Sequence, residues 1–331
     1  MRLVRTAFLA TTVLSTSATM AQADVNVVTS IKPVHSLVSA VMKGVGEPSL
    51  LVEGAGSPHT YALKPSQARK LQDADLVFWM SHDLEAFLEK SIEGIAANAK
   101  SVPLMDSHGL IKLEFREGGA FDSHGHEDEG HDDHGKDDHD EHKHDDYGHD
   151  DHDDHGHGEA DPHVWLDPVN AKAMVHEIEE ALAEADPAHA ATYEANAEAL
   201  MAKLDGLVDE IDAELEPVKG RGYVVFHDAY QYFENRFGVS AVGSITVSPE
   251  VLPGAERVSE LQEKVRDLGA TCVFSEPQFK PKLVATVTEN TNAGTGVLDP
   301  LGASIEDGPE LYFTLIRTMA KSLKDCLAKT G

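Results

Sequence analysis

Histidines are the residues of this chain whose number and spacing point most directly to chemistry, and its 19 histidines fall into two groups. In the first group, His59, His163 and His227 stand beside proline or aromatic residues near the ends of predicted strands or in loops. Asp299 ends a further predicted strand. Open α/β sheets bind ligands outside the carboxyl ends of their strands, so these positions can converge. Three imidazoles and one carboxylate suit four-coordinate zinc, and we predict a metal site formed by these four residues.

The other histidines of the predicted folded segments are weaker candidates. A single histidine is far more often an ordinary hydrogen-bonded residue than a ligand. His35, on a predicted helix, and His82, just after a predicted strand, are the nearest rivals, but neither has a matching partner in the other half of the chain. Three more are predicted on solvated loops or helices and are left out of the site: His108, His176 and His189.

The second group lies in one low-complexity segment rich in aspartate. The segment offers many donors to metals but no fixed geometry. Because ordering a flexible segment costs roughly 1–2 kcal/mol per residue, its metal sites should be weaker than a preformed site. With pKa values near ~6.5, its imidazoles should release metal as the pH falls toward ~5. The alternative is a solvated spacer. The eleven histidines are His124, His126, His131, His134, His139, His142, His144, His149, His152, His155 and His157.

The elements predicted around these residues alternate between short β-rich apolar runs and helical patterns. This alternation predicts an α/β fold with parallel sheets. Residues 122–158 contain almost nothing apolar and are predicted to be a disordered insertion. We predict two βα lobes, residues 24–185 and 217–331, with the metal site in the cleft between them.

One long helix, residues 186–216, is predicted to join the lobes. Asp186 followed by Pro187 has the form of an N-cap and a first helical residue, and the sequence after them is rich in Ala, Glu and Leu. At about 1.5 Å per residue, the helix is on the order of 40 Å long. A helix of this length can hold two lobes rigidly.

Residues 1–23 have the pattern of a secretory signal, with Arg2 and Arg5, an apolar stretch and a small-residue site that ends at Ala23. Cleavage there would leave 331 − 23 = 308 residues. No other stretch approaches the ~20 apolar residues of a membrane span, so we expect a soluble periplasmic chain. The net charge of −31 argues against nucleic acid as a partner.

Cys272 and Cys326 are the only cysteines in the sequence. In an exported chain with an even count, one disulfide is favoured over two buried thiols. The bond would close a loop of 326 − 272 = 54 residues. The chain-entropy model values such a loop at roughly 4 kcal/mol of stability. We predict that the bond pins the last helix.

Four motifs, in this order, resemble the metal-binding solute receptors of ABC importers, and most closely the zinc receptors of the ZnuA type. The similarity covers essentially the whole chain after the predicted signal. The motifs are residues 57–61 (SPHTY) with 64–66 (KPS), 161–167 (DPHVWLD), 226–230 (FHDAY) and 298–302 (LDPLG).

The resemblance implies two βα lobes joined by a long helix, a metal ion between them, and delivery of that ion to a membrane permease. It implies ligands at His59, His163 and His227, and histidine in place of the glutamate usual at 227 in manganese-binding relatives favours Zn²⁺. Asp299 matches the fourth ligand of the family, with water as the alternative. The cysteine pair fits a disulfide of zinc-specific members. A monomer is expected, and a periplasmic metallochaperone is a further candidate partner.

Two other functions would use the same residues. Three histidines and a water also form a catalytic zinc arrangement, with Glu276 as the available base of a zinc-dependent hydrolase or hydratase. The sequence has no His-Glu-x-x-His helix, so we predict a receptor without enzymatic activity. The other alternative is a stand-alone extracellular metal buffer or adhesin.

Overall fold

The computed structural model describes residues 25–116, 121, 160–246, 255–267, 272–280, 282–289 and 291–330. The predicted signal peptide, residues 1–23, and the predicted insertion, residues 122–158, lie outside the described residues. The described chain forms two α/β lobes, each built on a four-stranded parallel sheet. The predicted fold class is therefore confirmed.

Short apolar runs form the strands, and longer amphipathic runs form most of the helices. The strands are β1 Val27–Thr29, β2 Ser49–Leu50, β3 Leu76–Trp79, β4 Lys100–Pro103, β5 Gly222–His227, β6 Ser240–Thr246, β7 Cys272–Ser275 and β8 Gly294–Val297. The helices are α1 Lys32–Val41, α2 Pro65–Gln72, α3 Ala86–Ile95, α4 Pro168–Ala185, α5 Ala190–Leu215, α6 Gln231–Phe237, α7 Ala255–Asp267, α8 Lys282–Val287 and α9 Leu311–Leu327.

The first sheet has the strand order β2-β1-β3-β4. β1 and β3 are buried along their whole length, as expected for parallel strands covered on both faces. Helix α1 buries Val34, Leu37, Val38 and Val41 in the main core, which is worth roughly 1.5–3 kcal/mol for each side chain. Because the strands are parallel, the loops that follow them meet at one edge of the sheet, and the loop after β2 carries His59.

The second sheet has the strand order β6-β5-β7-β8, so β5 lies inside the sheet with a neighbour on each side. The last residue of β5 is His227. The register of β5 with β7 pairs Tyr223 with Cys272 and Val224 with Val273. Continued to the ends of both strands, this register brings Glu276 beside His227.

The predicted disulfide is present between Cys272 and Cys326. It ties the first residue of β7 to the last turn of α9, as predicted for a bond that pins the last helix. Helix α9 also packs against α1, α5 and β8. Within the described ranges, no helix is long and apolar enough to cross a membrane.

The long helix begins later than its sequence pattern predicts. Asp186 ends α4 instead of capping α5, and its Oδ2 accepts hydrogen bonds from His189 Nδ1 at 2.6 Å and from the hydroxyl of Tyr193 at 2.9 Å. Residues 186–189 thus form the turn between α4 and α5, and the helix starts at Ala190. The 26 residues of α5 still span about 40 Å and pack on α1 of one lobe and α9 of the other.

Helix α6 of the second lobe holds the segment that carries His163. Arg236 donates from Nε and a terminal nitrogen to both oxygens of Asp167, each at 2.7 Å. The hydroxyl of Tyr232 donates to the carbonyl of Asp161 at 2.8 Å. These bonds fix residues 161–167 against the opposite lobe, so His163 is placed by both halves of the chain.

Candidate metal centre

Three predicted ligands, His59, His163 and His227, meet between the lobes. His59 lies in a short 3₁₀ turn after β2, His163 precedes another 3₁₀ turn before α4, and His227 ends β5. Their ring centroids are 5.3–5.8 Å apart. One nitrogen of each ring lies within 4.8 Å of a nitrogen of the other two. In the described chain, this is the only group of three or more His, Cys, Asp or Glu residues close enough to hold a metal ion.

A carboxylate orients His163. Asp161 Oδ1 accepts hydrogen bonds from His163 Nδ1 at 2.6 Å and from its backbone N–H at 2.9 Å. Gln231 of α6 donates to Asp161 Oδ2 at 2.7 Å. Because Nδ1 carries the proton donated to Asp161, Nε2 keeps its lone pair for a metal.

A second carboxylate orients His227. Glu276 Oε1 accepts a hydrogen bond from His227 Nδ1 at 2.7 Å. His227 Nε2 is buried and has no hydrogen-bond partner in the part of the chain that the structure describes. An unpaired buried nitrogen is costly, and a bound cation would satisfy it.

The environment of the site shifts the pKa values of two of its rings in opposite directions. Burial, together with the imidazoles of His163 and His227, lowers the pKa of His59 well below its ordinary value. Burial also acts to lower the pKa of His227, but the carboxylates of Glu276, Asp161 and Asp228, with Glu276 the largest of the three, together raise it. Of these two rings, His59 therefore holds a proton less readily than a free imidazole, and His227 holds one more readily.

The three rings line a cavity of about 10 Å³. This volume is close to what one water molecule needs. The remaining lining residues are Ser57, Pro58, Trp165, Glu276, Gln278, Phe279, Pro300 and Leu301. The space suits a single ion with one small ligand.

Asp299 does not join the histidine group. Its Oδ1 accepts hydrogen bonds from Gln278 Nε2 at 2.9 Å and from the backbone N–H groups of Leu301 at 3.1 Å and Gly302 at 2.9 Å. Its Oδ2 accepts from Ala303 N–H at 2.6 Å. The carboxylate thus shapes the loop that forms one wall of the cavity.

The rival histidines lie outside the site. His35 is buried on α1, with its ring nitrogens 3.2 Å from the Pro48 carbonyl and 3.5 Å from the Ser39 hydroxyl. His82 is exposed and pairs with Glu89 at 2.8 Å. The eleven histidines of residues 122–158 lie outside the described residues, so their metal binding stays a prediction.

The sequence shows clear relatives over nearly its whole length. A family model described as "Zinc-uptake complex component A periplasmic", ZnuA, matches residues 27–326. The chain belongs to the ZnuA family. A high-affinity zinc uptake system protein ZnuA of Brucella suis biovar 1 (strain 1330) is 58% identical over 306 residues, which cover 92% of each chain.

Solved structures agree with the ZnuA fold. A crystal structure of ZnuA has a TM-score of 0.70 and 25% identity, and the match covers 92% of this chain and 99% of that one. The laminin-binding protein of Streptococcus agalactiae, described as having adhesin and metal transporting activity, has a TM-score of 0.69. At 22% identity, covering 92% of this chain and 99% of that one, this second match shows the fold alone.

Sequence reasoning missed the residues that orient the histidines of this candidate site. Asp161 had a local signal, because a carboxylate two residues before a histidine can reach its ring. Glu276 was predicted only as a candidate base, and its contact with His227 follows from the pairing of β5 with β7. Gln278 had no sequence signal, since its position depends on Asp299.

Proposed function

We propose that this protein captures Zn²⁺ in the periplasm and delivers it to a zinc importer, with the ion held by His59, His163 and His227. The convergence of three imidazoles within 4.8 Å between two lobes is the observation that carries the proposal. Membership in the ZnuA family supports zinc uptake as the process. The ion is the cargo, and the protein supplies a preformed set of nitrogen donors.

The donor set favours zinc over harder cations. Imidazole nitrogen is a borderline ligand that suits Zn²⁺, whereas Mn²⁺ and Mg²⁺ prefer carboxylate and carbonyl oxygens. The two carboxylates, Asp161 and Glu276, contact the rings and not the shared centre of the group. Together they balance the double charge of the ion without occupying a coordination position.

Zinc prefers four ligands, so one further donor is needed. We predicted Asp299 or water for this position. The four hydrogen bonds that Asp299 already accepts favour water. A ligating Asp299 would have to give up bonds that hold residues 301–303.

The geometry argues against the hydrolase and hydratase alternative. Glu276, the candidate base, is hydrogen-bonded through Oε1 to His227. A cavity of about 10 Å³ has no room for an organic substrate beside a metal ion. We therefore propose that the protein binds and releases zinc without catalysis.

The partner we propose is the membrane permease of a zinc ABC importer. A zinc uptake protein of this family needs a route across the inner membrane, and the described chain has no membrane-spanning helix of its own. We further propose a monomer, cleavage of the signal after Ala23, and a metallochaperone as a second periplasmic partner.

Deletion of the His/Asp-rich insertion tests the proposed site directly. In a variant in which a short Gly-Ser linker replaces residues 122–157, calorimetry is expected to show one tight zinc ion. The full chain should bind that ion and additional weaker ones, because flexible sites must be ordered on each binding event. Glu114 and Ala160 already form an antiparallel bridge, so a short linker can join the two ends. A deletion variant with no tight site would refute the three-histidine proposal.

A further inference from the structure

Gln278 lies on the wall of the metal cavity, and its amide can face only one way. Its Nε2 donates to Asp299 Oδ1 at 2.9 Å. A carboxylate offers acceptors only, so the reversed amide would place two acceptor oxygens against each other. Asp299 therefore fixes the amide with Oε1 as its free end.

Gln278 Oε1 is buried and finds no hydrogen-bond partner among the described residues. Leaving a buried amide oxygen unpaired costs about 1–3 kcal/mol, so a donor is expected beside it. The other polar groups of the wall do not fill this role. The ring nitrogens that face the centre are acceptors for a metal, and Glu276 is a carboxylate.

Ser57, the remaining polar side chain of the wall, does not determine whether the cavity offers a donor or an acceptor. Its hydroxyl is buried without a partner in the described chain and can either donate or accept. Gln278 is different because its hydrogen bond to Asp299 fixes the amide nitrogen on that side and leaves the oxygen as the free end. Among the side chains that line the cavity, Gln278 is thus the neutral acceptor whose orientation is fixed.

We infer that Gln278 determines the fourth ligand of the zinc ion by accepting a hydrogen bond from a metal-bound water. The inference rests on the three-histidine site of the proposed function. A water on zinc is a strong hydrogen-bond donor, whereas azide and chloride offer only acceptors to the amide oxygen. Gln278 therefore selects water and excludes anions, and Asp299 acts as its positioning residue.

Charge balance supports a neutral fourth ligand. Asp161 and Glu276 contact the ligating rings of His163 and His227 and already supply two negative charges. An anion on the metal would add a third in a site with little water. Glu276 Oε2, which is also buried without a partner in the described chain, adds to this preference for a donor over an anion, and Gln278 is the neutral acceptor whose removal tests it.

The test uses the full-length protein loaded with less than one equivalent of Co²⁺, which fills the tightest site first and has visible bands that report its ligands. In the wild type, chloride, a single-atom anion, is expected to leave the spectrum unchanged. In Gln278→Met, which keeps the length of the side chain and removes the amide, chloride should shift the bands. Zinc affinity of this variant should fall about 10-fold, as is usual for partners outside the metal ligands.

Two further variants separate this role from a structural one. Gln278→Leu, a second variant without the amide, is expected to admit chloride as the methionine variant does, so it also decides the matter if the methionine variant does not fold. Gln262→Met removes a partly buried glutamine whose Nε2 donates to the Thr286 carbonyl at 2.8 Å, and should change neither measurement.

Each outcome bears on a different claim. If Gln278→Met excludes chloride as well as the wild type does, the role of Gln278 is refuted while the histidine site stands. Chloride-sensitive bands in the wild type would also refute it. If the wild type takes up no Co²⁺ or Zn²⁺ tightly, the proposed function itself fails.

Discussion

Replacing His163 by alanine is expected to weaken zinc binding by about 100- to 1000-fold, because a protein zinc site is worth roughly 10–16 kcal/mol shared among about four ligands. The loss should be near the upper end of this range. His163 is 4% exposed and is oriented by Asp161, so its nitrogen is held in place before the ion arrives. No other histidine of the described chain is close enough to replace it.

The measurement is competition with a chelator of known affinity, made in the variant without residues 122–157. In the full chain the eleven histidines of that segment would supply weak sites and mask part of the loss. His82→Ala is the matched control, because His82 also pairs with a carboxylate but lies on the surface. Unchanged tight binding in His163→Ala, with the fold intact by circular dichroism, would refute the assignment.

Much of this candidate site was predictable because its histidines follow local rules. His59 and His227 stand where apolar runs give way to proline or polar residues, which is where parallel strands end and ligands bind. The fold class followed from the same alternation of apolar runs and amphipathic helices. These signals are short in sequence, so they can be read before any tertiary contact is known.

At Asp299 the local sequence does not distinguish between two roles. Its position after β8 led to its prediction as a ligand, but its sequence context, Asp-Pro-Leu-Gly, is also that of a turn in which the side chain binds its own backbone. Gly302, with φ of +71°, turns the chain so that the next N–H, that of Ala303, reaches Oδ2 of the carboxylate. Ligand position and turn position look alike in sequence, and only the hydrogen bonds distinguish them.

The start of α5 was predicted wrongly for a related reason. Asp186-Pro187 fits an N-cap by pattern, yet Asp186 instead accepts hydrogen bonds from His189 and Tyr193. Glu276 is the opposite case, since its contact with His227 joins residues 49 positions apart. Contacts of that kind depend on which strands pair, and a single sequence does not contain this information.

Lowering the pH from ~7 to ~5 is expected to weaken zinc binding at this site by up to about 100-fold, with a slope near one proton per metal ion. Zinc needs neutral rings, so a proton competes with it and the affinity falls as the pH falls. The pKa of His227 is raised and that of His59 is lowered, so of these two rings His227 takes a proton first. A charge on it, 5.3–5.8 Å from its neighbours, then opposes a second proton.

Glu276→Gln tests the cause of this pH dependence. The amide removes the negative charge that raises the pKa of His227, so the fall in affinity should begin at a lower pH. Affinity at neutral pH should also drop by about 10-fold, since the ring loses its charged partner. Glu89→Gln changes an exposed histidine–glutamate pair and should alter neither property.

The measurement is zinc affinity at a series of pH values in the variant without residues 122–157, so that the histidines of the insertion do not contribute. A slope near three would mean that all three rings take up protons independently, which would contradict the electrostatic coupling between them. If the slope is near one but Glu276→Gln does not change the pH at which the affinity begins to fall, the proton binds to a group other than His227. Only a shift to lower pH is consistent with Glu276 controlling the ring at which protons and zinc compete.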